Sequence, residues 1–363
     1  MSQVNNKDEL CKFAKKCAYV GNKLILDTEP LTPINYHGEK EKFFKSSTYN
    51  PIYKYKKKNL NRIKKLLNKL NYELISLTLP TDLNIYLKKY LQNLNLLFLG
   101  FQSIGTPNFA KITNQLFDWS TKNINNIKTQ LPQIRFQEEC NGVLSAKEIK
   151  KELEKYIKKY GIYDHPVITD NYNDHTIRVT QKKVIIGYKV KRNFANVKRL
   201  IVHEIETHVI QKYNVRLSKN PLLKLLIYKD WWLYAEGLAV YNEIQSNTLT
   251  HSAYDTYLYR VEAVKMLNQS FRQIYNNLAT HLPKEKAFIT TYRVKRGLAD
   301  TSAPGGFPKD AAYLLGYKTI VEYVQSGGKI NTLYVFRIPQ LAHLLTKYNL
   351  WQKKKYKYPK FLK

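Results

Sequence analysis

The sequence has no long hydrophobic run. The longest apolar stretch, Leu94 to Phe101, is interrupted by Asn95 and falls far short of the roughly 20 residues that a membrane-spanning helix needs. The amino terminus carries no apolar segment of signal-peptide length. These absences predict a cytoplasmic protein without a transmembrane segment. Export by a non-classical route would leave no trace of this kind.

Cysteine is also scarce, at three residues in 363. The number is odd and the spacing is not that of a metal site, which fits a reducing compartment. Cys11 and Cys17 lie in a lysine-rich opening segment and are expected to be two thiols on a helix, while Cys140 stands far from both. A disulfide framework is therefore not expected.

Acidic residues are few, since 28 aspartates and glutamates stand against 60 lysines and arginines, leaving a formal net charge of +32. Such a field attracts nucleic acid, an anionic membrane or an acidic peptide. However, the basic residues are spread along the chain, so a general compositional bias explains the charge equally well. The hydrophobic fraction of 44% is that of a globular protein. The charge alone does not name a partner.

What the chain does contain is a succession of helical patterns. Residues 1–50 are expected to be irregular, because prolines at 30, 33 and 51 interrupt any long element. Apolar residues, mostly leucines, then recur at helical spacing over residues 60–70 and 83–98, and Pro80-Thr81-Asp82 is typical of a helix start. Another helix is predicted over residues 147–160.

The pattern changes near residue 165. Residues 176–180 alternate and residues 184–190 form a β-branched run, which predicts a hairpin across Gln181-Lys182. Helical spacing returns over residues 194–213 and 222–244. We therefore expect a mostly helical α+β fold, with a helical N-terminal part and a small sheet before the helix at residue 203. The expected domains are an N-terminal extension or cap over 1–75 and a catalytic domain over 76–363.

The most informative motif is HEIETH, at residues 203–208. Neutral imidazoles such as those of His203 and His208 ligate Zn²⁺, and a carboxylate beside the first ligand, here Glu204, is suited to accept a proton from water. The usual zinc-peptidase motif has its histidines at i and i+4. Here they stand at i and i+5, about 140° apart on a regular helix.

Two interpretations of this spacing are open. A single wide π turn would bring both histidines to one ion, and such turns concentrate at functional sites. Alternatively, the two histidines are unrelated and lie on different faces of the helix.

A catalytic zinc usually takes a carboxylate as its third protein ligand. Glu236 lies in an apolar helix, where its charge is costly to bury unless a metal compensates it. Glu243 follows on the same face and either supports a ligand histidine through a hydrogen bond or is an ordinary surface glutamate. Gly237 permits the close helix–helix approach that such a site requires.

These motifs, in this order, resemble a known family. HEIETH at 203–208 and AEGLA at 235–239 are followed by RVKRGLADT at 293–301, PGGFPKD at 304–310 and YLLG at 313–316. Together they resemble the microtubule-associated tyrosine carboxypeptidases of eukaryotes and their bacterial relatives named for a QEGLA motif, over roughly residues 75–363. The resemblance implies His203, His208 and Glu236 as zinc ligands and Glu204 as the catalytic glutamate.

The family removes a C-terminal residue, which is tyrosine in the tubulin-acting members. The resemblance is not complete: Val202 and Glu206 stand where relatives often carry His and Gly, and Ala235 replaces the first residue of the QEGLA motif. Glu206 puts in question the local geometry and pocket charge, but not the ligand set.

An enzyme that cleaves at a chain end needs a partner for the terminal carboxylate, which arginine binds bidentately. The candidates are Arg296, Lys309 and Arg293, with Tyr313 as a donor to the developing oxyanion. Without the resemblance, a basic Gly/Pro-rich loop of no catalytic role is the better interpretation. With it, we favour Arg296 and Lys309.

The sequence thus predicts a zinc carboxypeptidase that acts on a peptide or protein C-terminal tail, for which an acidic tail suits the charge. One alternative is a zinc endopeptidase with an open cleft. Another is a non-catalytic basic protein that binds nucleic acid or acidic tails through segments such as KYKKK at 54–58. Nucleic-acid binding is disfavoured, because a decayed site would not be expected to keep all four metal and base residues.

Overall fold

The computed structural model describes residues 7–26, 29–119, 124, 135–138, 142–170 and 176–362. Cys140 lies outside these described residues, while Cys11 and Cys17 are free thiols on the first helix, as expected. Within the described ranges, none of the helices combines the length and the apolarity that crossing a membrane requires.

The elements follow one another in this order. The N-terminal helices are α1 (Lys7–Lys23), α2 (Tyr36–Lys45), α3 (Asn61–Ser76), α4 (Thr81–Ser103) and α5 (Asn108–Phe117). The central part contains β1 (Val143–Ser145), α6 (Ala146–Lys159), β2 (Val167–Asp170), β3 (Ile177–Val179), β4 (Val184–Gly187), β5 (Lys191–Asn193) and α7 (Phe194–Leu200). A π-helix (Ile201–Val209) continues into α8 (Ile210–Ser218).

The remaining elements are helical. They are α9 (Tyr228–Gln245), α10 (His251–Lys265), α11 (Phe271–Ala279), α12 (Lys284–Lys295), α13 (Ala312–Gln325), α14 (Ile330–Leu333) and α15 (Pro339–Lys347). Short 3₁₀ turns cover Pro221–Lys224, Pro308–Ala311 and Lys360–Leu362. The structure confirms the predicted α+β, mostly helical fold with a small sheet.

Two compact units make up the chain. The first contains Met1–Lys128, Lys224–Trp231 and Tyr257–Ala311, and the second contains Thr129–Leu223, Trp232–Thr256 and Ala312–Lys363. The division into an extension over 1–75 and a catalytic domain over 76–363 stays a prediction.

The N-terminal segment corrects the sequence analysis. The expectation of irregular structure over residues 1–50 is wrong, since α1 and α2 lie on either side of Pro30 and Pro33. Leu10, Phe13 and Cys17 of α1 are buried at helical spacing, while its lysines face solvent. Burial of this apolar face, rather than intrinsic propensity, stabilises the helix. The helix predicted from residue 222 also begins later, at Tyr228.

The small sheet of the second unit confirms the predicted hairpin. Strand β4 lies at its centre, antiparallel to β3 and parallel to β2. Val184 and Ile186 of β4 join one hydrophobic cluster with α6 and with Ile201, Ile205 and Val209 of the π-helix. A capping box begins α6, in which the Ser145 N–H donates to Glu148 Oε2 at 2.8 Å. The sheet and α6 thus support one side of the π-helix.

A buried histidine makes the second unit sensitive to acid. His165 is 1% exposed, and its Nδ1 lies 3.3 Å from the Arg216 guanidinium. Burial, followed by the charges of Arg216 and Lys212, lowers the pKa of His165 from 6.5 to about 4. Between these two values the unfolded chain binds a proton that the folded chain does not, so stability falls as the pH falls.

Because of this histidine, we expect the free energy of unfolding to decrease by about 2–3 kcal/mol as the pH falls from 6.5 to 4. Denaturant titration of the wild-type protein and of His165→Gln at pH 7 and pH 4.5 measures the effect. The variant should lose less stability on acidification, because glutamine does not titrate. Equal losses of stability in the two proteins would contradict a lowered pKa of His165.

Candidate metal centre

The π-helix carries both histidines of the HEIETH motif. The backbone N–H of Ile210 donates to the Ile205 carbonyl, five residues back, as the wider turn requires. The rings of His203 and His208 consequently lie near each other, with centroids 5.1 Å apart. The predicted wide turn is confirmed, and the interpretation that placed the histidines on different faces is wrong.

The third predicted ligand comes from α9. Glu236 is 5% exposed, and its Oε2 lies 3.5 Å from His203 Nε2 and 3.9 Å from His208 Nε2. Ligand atoms from these residues all lie within 4.8 Å of one another. In a tetrahedral complex with bonds of about 2.0–2.2 Å, ligand atoms are about 3.4 Å apart. Two imidazoles and a carboxylate with these separations fit a four-coordinate metal ion.

The position of Glu236 depends on a close contact between α9 and α13. Gly237 lies against Gly316, and a Cβ added to Gly237 would be 2.2 Å from the Gly316 carbonyl carbon. The two backbones touch because neither residue has a side chain. This contact brings α13 and its Tyr313 beside the ligand helix. The Tyr313 ring stacks on His203, with centroids 6.3 Å apart and an interplanar angle of 29°.

Glu243 lies behind His203 and supports it. Its side chain is fully buried, and its Oε1 lies 2.7 Å from His203 Nδ1 and 2.8 Å from the Arg199 guanidinium. Burial opposes the charge of Glu243, but the charge of Arg199 and the contacts with His203 outweigh it and lower the pKa of the carboxyl group. The surface-glutamate interpretation is therefore wrong. A carboxylate on Nδ1 leaves Nε2 directed at Glu236, which is the arrangement of a metal-ligating histidine.

The electrostatics of the pocket favour a cation. Burial would lower the pKa of His203, yet hydrogen bonds with Glu236 and Glu243 raise it to about 10. The carboxylates of Glu236 and Glu243 make the pocket negative, and half-buried Glu204 lies in the same environment. Burial, together with the charge of Glu236, raises the pKa of Glu204 although His203 acts in the opposite direction. A metal ion would neutralise the carboxylates that converge here.

Comparison with known proteins agrees with this geometry. The model of the family described as microtubule-associated tyrosine carboxypeptidase matches residues 41–363, which is nearly the whole chain. The chain belongs to this family. The match begins upstream of residue 75, where the motifs placed the start of the resemblance. Among curated proteins nothing matches. Membership in the tyrosine carboxypeptidase family implies a peptidase of that type.

Not all residues that the family resemblance suggested lie in the same unit as the histidines. Arg293, Arg296 and Lys309 belong to the first unit. Arg293 binds Asp310 through two hydrogen bonds, of which the one from Nη2 is 2.8 Å long. Burial opposes the charge of Asp310, but Arg293 and Arg260 hold the pKa of its carboxyl group far below the usual range. The substrate contacts of these basic residues stay predictions.

Arg296 and Lys309 are both buried in the first unit. Arg296 is 2% exposed, and its guanidinium lies 5.1 Å from the centroid of the Phe307 ring. Its Nε makes no hydrogen bond to any residue in the described part of the chain. Lys309, in the 3₁₀ turn Pro308–Ala311, is 5% exposed.

Sequence reasoning missed two residues around the centre of this family member. Arg199 stands four residues before His203 on the same helix, so helical spacing could have identified it as a neighbour. Tyr160 donates a hydrogen bond to the buried Glu206 carboxylate, and no local pattern connects residues 46 positions apart. Glu206 is thus engaged by Tyr160. Burial raises the pKa of Glu206 in spite of that bond.

The contact from Glu243 to His203 should control metal affinity. Glu243→Gln keeps the shape of the side chain but removes the charge that orients the imidazole and balances Arg199. We expect metal affinity to fall about 10–100-fold. Competition with a chromogenic chelator measures the change, and Glu322→Gln, on the exposed side of α13, is the control. Unchanged affinity would show that Glu243 only pairs with Arg199.

Proposed function

We propose that this protein is a zinc-dependent carboxypeptidase that removes a C-terminal residue, tyrosine in the first instance, from a peptide or protein tail. The observation that carries the proposal is the convergence of His203, His208 and Glu236 at separations suited to a tetrahedral ion. Two imidazoles and one carboxylate are the donors of many catalytic zinc sites. Family membership supports the peptidase chemistry.

The proposed mechanism assigns a role to each side chain of the pocket. Zinc, when bound, polarises the scissile carbonyl and makes a water molecule more acidic. Glu204 accepts a proton from the attacking water and passes it to the leaving nitrogen as the C–N bond breaks. Its raised pKa suits a group that must both take and return a proton. The Tyr313 hydroxyl is the proposed donor to the oxyanion, because its ring stacks on His203.

Recognition of the chain end requires a cation, and we assign it to Arg296 and Lys309. Arg296 offers a buried Nε–H without a hydrogen-bond partner among the described residues, which suits a guanidinium kept for an anionic group. Arg293 is the weaker candidate because its Nε and Nη2 already donate to the two carboxylate oxygens of Asp310. The charge of +32 further suggests tails with acidic residues before the cleaved position.

Blocking the terminal carboxylate tests the exopeptidase assignment. We expect amidation of a peptide's C-terminus to lower kcat/KM by the factor that corresponds to a loss of about 2–4 kcal/mol in transition-state binding, since a charge-assisted contact is left unmade. A peptide library with varied C-terminal residues, as free acids and as amides, is incubated with metal-analysed protein and read by mass spectrometry. Glu204→Gln is the control for contaminating peptidases. Equal cleavage of acids and amides, or cleavage inside the chain, would indicate an endopeptidase.

A further inference from the structure

A fully buried polar network lies between the two elements that carry the predicted metal ligands. Thr207 of the π-helix, Asn242 of α9 and Tyr334 are each 0% exposed. The Asn242 amide donates to Thr207 Oγ1 at 2.8 Å and to the Tyr334 hydroxyl at 2.7 Å. Loss of either bond would leave a buried donor of Asn242 unsatisfied, which is costly, so the two bonds hold these three side chains together.

The network acts directly on the wide turn. The Thr207 hydroxyl donates to the Val202 carbonyl at 2.9 Å, five residues back along the chain. A threonine in a regular helix bonds instead to a carbonyl three or four residues back. The side chain of Thr207 therefore adds a hydrogen bond, besides those of the backbone, across the wide turn that brings His203 and His208 together. Thr207 itself immediately precedes His208.

The second half of the network reaches the other ligand helix. Asn242 immediately precedes Glu243, the partner of His203 Nδ1, and lies less than two turns after Glu236 on α9. A bond between Thr207 and Asn242 thus couples the π turn to the helix that supplies the carboxylate ligand. Tyr334, outside both elements, accepts the second hydrogen bond of the Asn242 amide.

From these contacts we infer that Thr207, Asn242 and Tyr334 are positioning residues, which hold the wide turn and fix the histidines relative to Glu236. None of the three is proposed to touch the metal or the substrate. The inference rests on the proposed function, because it concerns the geometry of that same metal site. It predicts that a hydroxyl at position 207 matters more than the volume of the side chain.

The test replaces Thr207 with valine, which keeps the shape and removes the hydroxyl. We expect metal affinity to fall about 10-fold or more, and kcat to fall while KM changes little, because misplaced ligands affect chemistry more than substrate contacts. The visible absorption of the Co²⁺-substituted protein should change, since it reports the coordination geometry. Thr207→Ser, which restores the hydroxyl, should recover most of the affinity and the spectrum.

Matched controls separate positioning from general destabilisation. Thr319→Val removes a hydroxyl–carbonyl bond of 2.9 Å in α13 of the same unit and should leave the Co²⁺ spectrum as in wild type. Should Thr207→Val fail to fold, Tyr334→Phe deletes one oxygen of the network and should give a smaller change of the same kind. Thermal unfolding of each metal-free variant measures the structural effect separately.

Three outcomes are decisive. A changed Co²⁺ spectrum in Thr207→Val and Tyr334→Phe, with recovery in Thr207→Ser, supports the inference. Wild-type affinity and spectrum in Thr207→Val, or the same changes in Thr319→Val, would overturn it and leave the proposed function standing. A wild-type protein that binds neither Zn²⁺ nor Co²⁺ would overturn both.

Discussion

Replacement of Glu204 with glutamine is expected to leave the fold and metal content unchanged and to lower kcat by at least about 10²–10⁴-fold. Glutamine has nearly the same shape, and the three predicted metal ligands do not include residue 204. What the amide lacks is the ability to take a proton from the attacking water. The loss should appear in kcat more than in KM, because the proton moves only as the reaction proceeds.

Single-turnover cleavage of a free-acid peptide, followed by mass spectrometry, measures this loss, and metal analysis of the same preparations verifies the metal content. Glu154→Gln provides the control, since Glu154 is a half-buried glutamate of α6 that pairs with Lys150. Wild-type rates in Glu204→Gln would remove Glu204 from the mechanism. Loss of the metal together with the activity would instead assign Glu204 a structural role.

The substitution Gly237→Ala is expected to disrupt the second unit strongly. The added Cβ would lie 2.2 Å from the Gly316 carbonyl carbon and 2.3 Å from its oxygen. These are backbone atoms inside α13, so no rotamer change relieves the clash. We expect a loss of about 3 kcal/mol or more of unfolding free energy and a large loss of bound metal, since Glu236 is the adjacent residue.

Urea denaturation and metal analysis of Gly237→Ala test this expectation. Gly38→Ala is the matched control, because a Cβ at Gly38 in α2 meets no atom within 4 Å. That substitution should be neutral or slightly stabilising, as alanine favours a helix over glycine. A Gly237→Ala protein with normal stability and metal content would mean that the two helices can separate at no cost.

Much of the candidate metal centre was predictable because its constraints are local. The i, i+5 spacing of His203 and His208 on a helix leaves few ways to reach one ion, and the wide turn is the one adopted. Glu236 was predictable for a related reason, since a carboxylate in an apolar helix needs compensation. The hairpin over residues 177–187 likewise follows from alternation and a short polar turn.

The parts that were not predictable depend on distant contacts. The sequence around Glu243 does not distinguish a buried partner of Arg199 from a surface residue, because the difference lies in what packs over it. The N-terminal helices were missed for a similar reason. Prolines suggested interruption, but α1 ends at Lys23 before the first of them, and burial of its apolar face decides its conformation.

The wide turn also sets the rotational phase of everything that follows it. Deleting Thr207 would leave the histidines at i and i+4, the spacing of an ordinary zinc-peptidase helix. Because the wide turn absorbs one residue, a regular helix shortened in this way would keep His208 and every later side chain in nearly the same rotational phase. In a regular helix of the full sequence, by contrast, the extra residue would turn Val209 and Ile210, both 0% exposed, away from the hydrophobic cluster that includes them.

The helix therefore meets two demands that an unbroken helix of the same sequence could not meet together. The wide turn keeps His208 in phase with His203 at the candidate metal site, and it keeps Val209 and Ile210 in phase with the core against β4 and α6. Conversion of this segment to a regular helix without loss of a residue would therefore displace core side chains as well as a predicted metal ligand.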